Sequence, residues 1–277
     1  MTDLLSVGIE AGIALITFKR PERLNAMNAE MGLAFEQAMA DAERDEAVRV
    51  VVITGTGRGF CAGADMERLT VLVADGGQSL HQAPADGGAP PLEALTGVPQ
   101  VLRRRYLSPM ALSKPVIAAI NGAVAGVGFS LAVACDIRFA SHDGFFTAAF
   151  PKRGLTAEAG LAWTLPALIG RGAASDMLLS GRRVSAEEAF SMGLVNAVVS
   201  ADALLPHALA YAREMAASCS PRSMRVIKRQ LRLGQDQDMV TALEMSMDEV
   251  VASLTSADFA EGVASFKDKR PPRFTGV

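Results

Sequence analysis

The stretch that decides the fold is KPVIAAINGAVAGVGFSLAVACDIR, residues 114–138. It is apolar and carries no charge between Lys114 and Asp136, and it contains Gly122-x-x-x-Gly126. A transmembrane helix would show the same features. However, Asn121-Gly122 is a turn signal in the middle of the stretch, and we expect no second span. The pattern is better explained by a buried strand, a turn and a buried helix.

Similar patterns occur on the N-terminal side of this stretch. Val50–Thr54 is a continuous β-branched run, which is typical of a strand buried on both faces. Val7–Glu10 and Ala14–Phe18, separated by Ala11-Gly12, predict a hairpin. Asn28 is a candidate N-cap for a helix that reaches Ala42. Two more strands are predicted at Ile137–Ala140 and Val195–Val199. Strands that alternate with helices predict an α/β core with parallel pairing.

The predicted organisation is a core over residues 1–200 and a helical segment over 201–277. Residues 67–113 form a variable insertion that contains Gly76-Gly77, Gly87-Gly88 and Pro90-Pro91 and a short helix near its end. The Arg103–Arg105 triplet in it is interpreted as a solvated helix face. After residue 201 the pattern is helical only, with one face formed by Leu204, Ala208, Tyr211 and Met215 and a helix start at Ser220-Pro221. This segment packs either on a neighbouring subunit or on its own core.

Composition excludes several classes of function. The 277 residues carry 27 Lys and Arg against 30 Asp and Glu, and only 5% are aromatic. Without a basic surplus, no nucleic-acid partner is expected. The cysteines at 61, 135 and 219 and the three histidines have no metal or disulfide spacing. We therefore expect no metal, no membrane span, no secretory signal and a cytoplasmic location with reduced thiols.

Two glycine-bearing turns are the candidate chemical features. Phe60–Asp65 follows the strand at 50–54, and Asn121–Gly128 follows the strand at 115–120 and opens the apolar helix. Each turn leaves backbone N–H groups at a strand end, and the second places them at a helix N-terminus. Facing each other, they would form an oxyanion hole. The alternative is that the glycines only permit tight packing.

The two turns and several other segments resemble the enoyl-CoA hydratase/isomerase, or crotonase, superfamily. The resemblance covers essentially the whole chain. The matching segments are RPERLNAM at 20–27, FCAGAD at 60–65, KPVIAAING at 114–122, ACDIR at 134–138, LSGR at 179–182, AFSMGLV at 189–195, Glu261-Gly262 and Phe266.

The resemblance implies a fold, a ligand and a set of contacts. The fold would be a spiral of ββα repeats with a C-terminal helical trimerisation region, in a homotrimer or a hexamer. The ligand would be an acyl-CoA substrate, with no separate cofactor. The N–H groups of Ala64 and Val127 would bind the thioester oxygen. Contacts to CoA or substrate would come from Arg23, Leu24, Ala26, Ala62, Gly63, Asp65, Gly126, Phe150 and Lys269.

The chain departs from the hydratases of this family at the positions of their two glutamates. Ser130 and Phe150 stand there, and neither replaces a carboxylate as a general base near neutral pH. Glu158, in GLTAEAG at 154–160, instead resembles the single glutamate of the 3-enoyl-CoA to 2-enoyl-CoA isomerases. It could also merely complement the dipole of the helix that it is expected to begin.

The resemblance thus favours an isomerase that moves a 3-enoyl double bond to the 2-position, with Glu158 as acid and base. Phe150, Leu155 and Trp163 are expected to surround the carboxyl and raise its pKa. Two alternatives stay open. One is a hydratase that uses Glu158 or another carboxylate, and the other is a non-catalytic acyl-CoA-binding protein.

Overall fold

The computed structural model of the chain describes residues 3–78 and 99–277. Much of the predicted 67–113 insertion, including Gly87-Gly88 and Pro90-Pro91, therefore lies outside the described residues.

The described strands form two sheets. In chain order the strands are β1 Leu5–Glu10, β2 Ile13–Phe18, β3 Val50–Gly55, β4 Gly59–Cys61, β5 Val116–Ile120, β6 Ala123–Ala125, β7 Ile137–Ser141, β8 Phe145–Thr147, β9 Val184–Ser185 and β10 Ala197–Val199. The first sheet has six strands in the order β1-β2-β3-β5-β7-β10, and the second has four in the order β4-β6-β8-β9.

The pairing explains why the chain winds as a spiral. The β1–β2 hairpin is antiparallel, and every later pair in the first sheet is parallel. Each of β3, β5 and β7 is followed directly by β4, β6 or β8 in the second sheet, where these strands keep the same order. Consecutive ββ units therefore stack side by side. This arrangement confirms the predicted α/β spiral and the buried strands at 50–54 and 115–120.

The described helices are α1 Ala29–Arg44, α2 Met66–Ala74, α3 Ser108–Ala111, α4 Val127–Ala134, α5 Leu161–Ile169, α6 Arg171–Ser180, α7 Ala186–Ser191, α8 Ala201–Ser218, α9 Pro221–Leu233, α10 Met239–Leu254 and α11 Ala257–Asp268. Asn28 and Ser220 cap α1 and α9 through their side chains, as the sequence predicts. All eight residues of α4 are buried, which explains its uniformly apolar sequence. Among the described residues, no helix is long and apolar enough to cross a membrane.

The first C-terminal helix packs on the chain's own sheet. Its buried face consists of Leu204, Ala208, Ala212 and Ala216, against Val50, Val52 and other residues of the first sheet. Tyr211 is 44% exposed, and its ring packs on the buried Phe139 of the same cluster with centroids 5.3 Å apart, as the predicted face requires. The four-residue step from Leu204 adds Ala212 and Ala216 to this face, and the three alanines let the helix lie close to the strands.

The α10 helix is different, because none of its residues is buried within the chain. Met239, Leu243 and Met247 are 84%, 56% and 55% exposed, and Phe266 on α11 is 86% exposed. Exposed apolar faces of folded chains are often interaction surfaces.

The Arg103–Arg105 triplet does not form one solvated face, which corrects that prediction. Arg104 is exposed, but Arg105 donates to the Glu36 carboxylate at 3.0 Å and is largely covered. A Cβ atom on Gly32 would collide with its guanidinium. The glycine on α1 therefore leaves the space in which Arg105 reaches its partner.

Candidate active site

Two backbone turns meet at the ends of β4 and β6. These strands are parallel neighbours, with Gly59 opposite Ala123 and Cys61 opposite Val124. A Cβ atom on Gly63, whose φ is +100°, would lie 2.9 Å from the Ala125 carbonyl oxygen. One on Gly128 would lie 2.1 Å from the Cys61 carbonyl oxygen. Both glycines are thus required for the close approach of the turns, and this packing role does not occupy the N–H groups beside them.

The direction of the Ala64 N–H follows from the hydrogen bond on the other side of its peptide. The Gly63 carbonyl accepts from the Met27 N–H at 2.8 Å. All described peptides are trans, so the N–H of the Gly63–Ala64 peptide points away from Met27. Ala64 lines a pocket together with Val127.

The Val127 N–H is oriented by the start of α4. The Gly126 carbonyl accepts from the Phe129 N–H at 2.9 Å and the Ser130 N–H at 3.3 Å, so it points along the helix. The Val127 N–H points the opposite way, out of the helix N-terminus, where the helix dipole favours negative charge. Gly126 permits this turn with φ +54° and ψ −128°. Across residues 3–78 and 99–277, neither the Ala64 nor the Val127 N–H donates a hydrogen bond.

Most of the predicted site residues line one pocket. Ten of them do so: Arg23, Ala26, Ala62, Gly63, Ala64, Asp65, Gly126, Val127, Phe150 and Glu158. Leu24 lies outside the lining, and its carbonyl accepts from the Ala62 N–H at 3.0 Å. Lys269 is exposed at the end of α11 and also lies outside the lining of this pocket.

The same lining includes residues that sequence reasoning missed. They are Met66, Leu69, Ala148, Ala149 and Arg153, whereas Leu155, which also lines the pocket, was expected. Met66 and Leu69 face the pocket because α2 begins directly after the Ala64 turn, and their spacing of three places them on one face. That spacing was the signal that could have identified them.

Glu158 lies in the turn before α5 and not on the helix. Ala159 and Gly160 have φ values of +48° and +69°, which delays the helix start to Leu161 and corrects the prediction that Glu158 begins it. The Glu158 carbonyl accepts from the Leu161 N–H and from Ser130 Oγ, both at 3.1 Å. The main chain at Glu158 is therefore tied to both α5 and α4.

The environment of the Glu158 carboxyl favours a base that can also act as an acid. Burial raises its pKa above the ordinary value, and the nearby charge of Arg68 partly opposes this. Phe150 is buried and lines the pocket with Leu155, as expected. Trp163 is 46% exposed and lies outside the lining, so its expected part in the apolar surround is wrong. Leu161 and Leu165, four residues apart, form the buried face of α5, and Trp163, two residues from each, lies on the opposite face.

Two further groups near the turns are not free for chemistry. Burial raises the pKa of the Cys61 thiol to about 11, which keeps it protonated and poorly nucleophilic near pH 7. The Asp65 carboxylate accepts from the Glu67 N–H and from the Arg20 guanidinium, and these bonds lower its pKa. Among the described residues, no cluster of His, Cys, Asp and Glu could hold a metal ion.

Comparison with known proteins shows the family of this chain. The family model described as Enoyl-CoA hydratase/isomerase matches residues 8–86 and 94–277. The chain is 34% identical over 281 residues to a 1,2-epoxyphenylacetyl-CoA isomerase of Escherichia coli (strain K12), with 100% of both chains covered. It is 39% identical over 272 residues to a "probable enoyl-CoA hydratase" of Mycobacterium tuberculosis (strain ATCC 25618 / H37Rv), with 95% of this chain and 89% of that protein covered.

Solved structures agree with this result. An enoyl-CoA hydratase from Bacillus anthracis superposes with a TM-score of 0.87 at 28% identity, with 99% of this chain and 100% of that one covered. An enoyl-CoA hydratase from Polaromonas sp. JS666 gives a TM-score of 0.85 at 32% identity, with 98% and 99% covered. The fold is the crotonase fold, and the chain belongs to the enoyl-CoA hydratase/isomerase family.

Proposed function

We propose that this chain isomerises 3-enoyl-CoA thioesters to 2-enoyl-CoA thioesters with Glu158 as its single acid and base. The observation that carries the proposal is the pocket itself. One half-buried carboxyl with a raised pKa shares this pocket with two backbone N–H groups that have no partner within the described part of the chain.

The chemistry requires only these groups. The thioester oxygen accepts hydrogen bonds from the Ala64 and Val127 N–H groups, which acidify the carbon between the carbonyl and the double bond. Glu158 removes a proton from that carbon, and the electron pair moves onto the oxygen to give a dienolate. The protonated carboxyl then returns the proton to the γ-carbon, and the double bond forms at the 2-position. Substrate and product have the same composition, so the reaction consumes no water, oxidant or reductant, and the proposed mechanism requires no cofactor and no metal.

This chain has no carboxylate at the two positions where the family's hydratases carry glutamates, which argues against hydration by a pair of carboxylates. Ser130 donates its hydroxyl to the Glu158 carbonyl, and Phe150 is buried in the apolar wall. A hydratase that uses Glu158 to activate water remains the alternative, and the name of the Mycobacterium tuberculosis relative is its support. The third reading, a protein that binds acyl-CoA without turning it over, predicts binding alone.

The name of the Escherichia coli relative suggests a second substrate class for the same site. That protein is an isomerase of 1,2-epoxyphenylacetyl-CoA. A ring-epoxide thioester also has a carbonyl that the two N–H groups could polarise, and Phe150, Leu155 and Leu69 give the pocket an apolar wall. A ring-bearing acyl group is therefore the second substrate to test.

We further propose a homotrimer, or a hexamer made of two trimers, assembled through the exposed apolar face of α10 and α11. In such an assembly Lys269, which is remote from the pocket of its own chain, would reach the nucleotide of a CoA bound to a neighbour. Arg23 would contact CoA from within the same chain. Buried thiols at Cys61 and Cys135 suit a reducing compartment, and we place the protein in the cytoplasm.

Ultraviolet absorbance of the conjugated thioester distinguishes the alternatives. The purified protein is offered 3-enoyl-CoA and 2-enoyl-CoA in separate reactions. An isomerase generates the absorbance from the first, a hydratase removes it from the second, and a binding protein changes neither. Loss of absorbance from 2-enoyl-CoA, with no gain from 3-enoyl-CoA, would contradict the proposed function.

A further inference from the structure

We infer that Arg20 is a positioning residue for the Ala64 donor and that it acts through Asp65 and Ala26. The inference rests on the proposed function only in that the Ala64 N–H binds the thioester oxygen. Arg20 itself is not part of the pocket lining.

One nitrogen of the Arg20 guanidinium makes both contacts. Nη1 donates to Asp65 Oδ2 at 2.8 Å and to the Ala26 carbonyl oxygen at 2.6 Å. The side chains of Arg20 and Asp65 are only 12% and 6% exposed. A charge-assisted pair this well covered is short and geometrically specific.

The two acceptors lie on the two chain segments that hold the Ala64 peptide. Met27 and Ala64 form a parallel bridge, in which the Met27 N–H donates to Gly63 and the Met27 carbonyl accepts from the Asp65 N–H. Arg20 joins these segments again, one residue from each partner of the bridge. A shift between the segments would turn the Gly63–Ala64 peptide and with it the direction of the donor.

Arg20 is itself anchored at a fixed place. Its backbone N–H donates to Asn25 Oδ1 at 2.7 Å, and the buried Asn25 amide donates to the carbonyls of Thr56 and Gly59 at 2.9 and 2.6 Å. Asn25 adopts φ +55°, where asparagine is among the more tolerated residues. The backbone at Arg20 is thus tied, through Asn25, to the connection from β3 to β4.

Charge gives the arrangement a second effect. Asp65 lines the pocket directly after the Ala64 donor, and an unpaired carboxylate there would oppose the negative charge that develops on the thioester oxygen. Arg20 neutralises it. Loss of Arg20 should therefore cost more than loss of both charges together.

The test compares Arg20→Met, Arg20→Lys, Asp65→Asn and the double variant Arg20→Met/Asp65→Asn. Arg105→Met is the matched control, since Arg105 also donates to a carboxylate from a largely covered position and lies outside the pocket lining. Two readouts are used. One is kcat and KM with 3-enoyl-CoA. The other is the absorbance of the enolate of bound acetoacetyl-CoA, which reports how well the site stabilises the oxyanion and does not require Glu158 to move a double bond.

Arg20→Met should lower kcat and the bound enolate fraction by about tenfold to a hundredfold. This loss should not exceed the loss caused by removing an oxyanion donor completely. KM should change by less than about threefold. Arg20→Lys should recover a large part of this loss. The double variant should lose less than Arg20→Met, which is a non-additive result. Arg105→Met should lower only the melting temperature.

A fall in melting temperature with an unchanged enolate fraction would overturn the inference and leave Arg20 with a purely structural role. So would equal effects of Arg20→Met and Arg105→Met on the enolate. If the parent enolises acetoacetyl-CoA but does not isomerise 3-enoyl-CoA, the proposed function fails and the inference is still decided by the enolate readout. If the parent does not stabilise the enolate, both are wrong.

Discussion

Ser130 Oγ donates a hydrogen bond to the Glu158 carbonyl oxygen at 3.1 Å. Ser130 lies on α4, whose first N–H is that of Val127, so this bond connects the proposed base to the helix that we propose binds the thioester oxygen. Ser130, which stands where the family's hydratases carry a glutamate, therefore holds the loop that contains Glu158.

The first prediction concerns that bond. Ser130→Ala should lower kcat by about threefold to tenfold, because one ordinary hydrogen bond is worth roughly 1 kcal/mol and the carboxyl keeps its identity. The control is Ser108→Ala, since Ser108 is also buried and donates to a carbonyl, that of Arg105. A loss as large as that caused by removing the Glu158 carboxyl would assign proton transfer to Ser130 and contradict the account.

The second prediction is the pH dependence of turnover. Burial raises the Glu158 pKa, so the active carboxylate should be lost on acidification at a pH above that of an ordinary glutamate. Arg68 acts in the opposite direction, and Arg68→Gln should move the acidic limb of kcat/KM to still higher pH. Arg104→Gln, at an exposed arginine, is the control. A limb that stays in place in both variants would show that the group that titrates is not Glu158.

The third prediction uses the glycine between the turns. Gly63→Ala should lower both stability and kcat, because the new Cβ atom meets the Ala125 carbonyl and φ is +100°. We expect a loss of stability of about 1–3 kcal/mol. Gly76→Ala, with φ +62° and nothing within 4 Å, carries the backbone cost alone. Thermal melts and kcat of both variants separate the two effects, and a Gly63 variant with full activity would show that the turn does not position a donor.

The fourth prediction concerns the CoA end. Arg23→Ala and Lys269→Ala should each raise KM with little change in kcat, because phosphate contacts bind substrate and transition state about equally. The increase should shrink at high salt, where screening weakens exposed charges. A fall in kcat at constant KM would place these residues in the chemical step, and an unchanged KM would remove them from the CoA site.

The fifth prediction concerns assembly. Leu243→Glu places a charge on the exposed apolar face of α10 and should give a smaller species in sedimentation. A point substitution is preferable to truncation near residue 255, since Asp258 accepts bonds from Ser220, Thr275 and Gly276 within the chain. An unchanged oligomer, or a parent that is already a monomer, would contradict the proposed interface.

Structural features that are determined by neighbouring residues could be predicted from the sequence, and features that depend on residues far apart in the chain could not. The run at 50–54 and the stretch at 114–138 predicted buried strands and a buried helix, because apolar patterning acts over a few residues. The two turns at 60–65 and 121–128 followed from the strand ends that carry them, whereas the individual pocket residues in these turns came from the resemblance to the family. The start of α5 was not predicted correctly, since the left-handed conformation at Ala159 breaks a pattern that is otherwise helical. Trp163 was misplaced, although its spacing of two from both Leu161 and Leu165 puts it on the opposite face of α5. The partners of Arg105 and Ser130 lie far away in the sequence, and only the fold brings them together.

The most direct test of the central claim is single-turnover isomerisation of 3-enoyl-CoA by Glu158→Gln, with Glu187→Gln as the control at an exposed carboxylate outside the pocket. The account predicts that Glu158→Gln binds CoA thioester with unchanged affinity and melts no lower than the parent, yet isomerises about two orders of magnitude more slowly or worse, the usual contribution of a positioned base. Turnover equal to that of the parent and of the Glu187 control would show that the base lies elsewhere and would contradict the account.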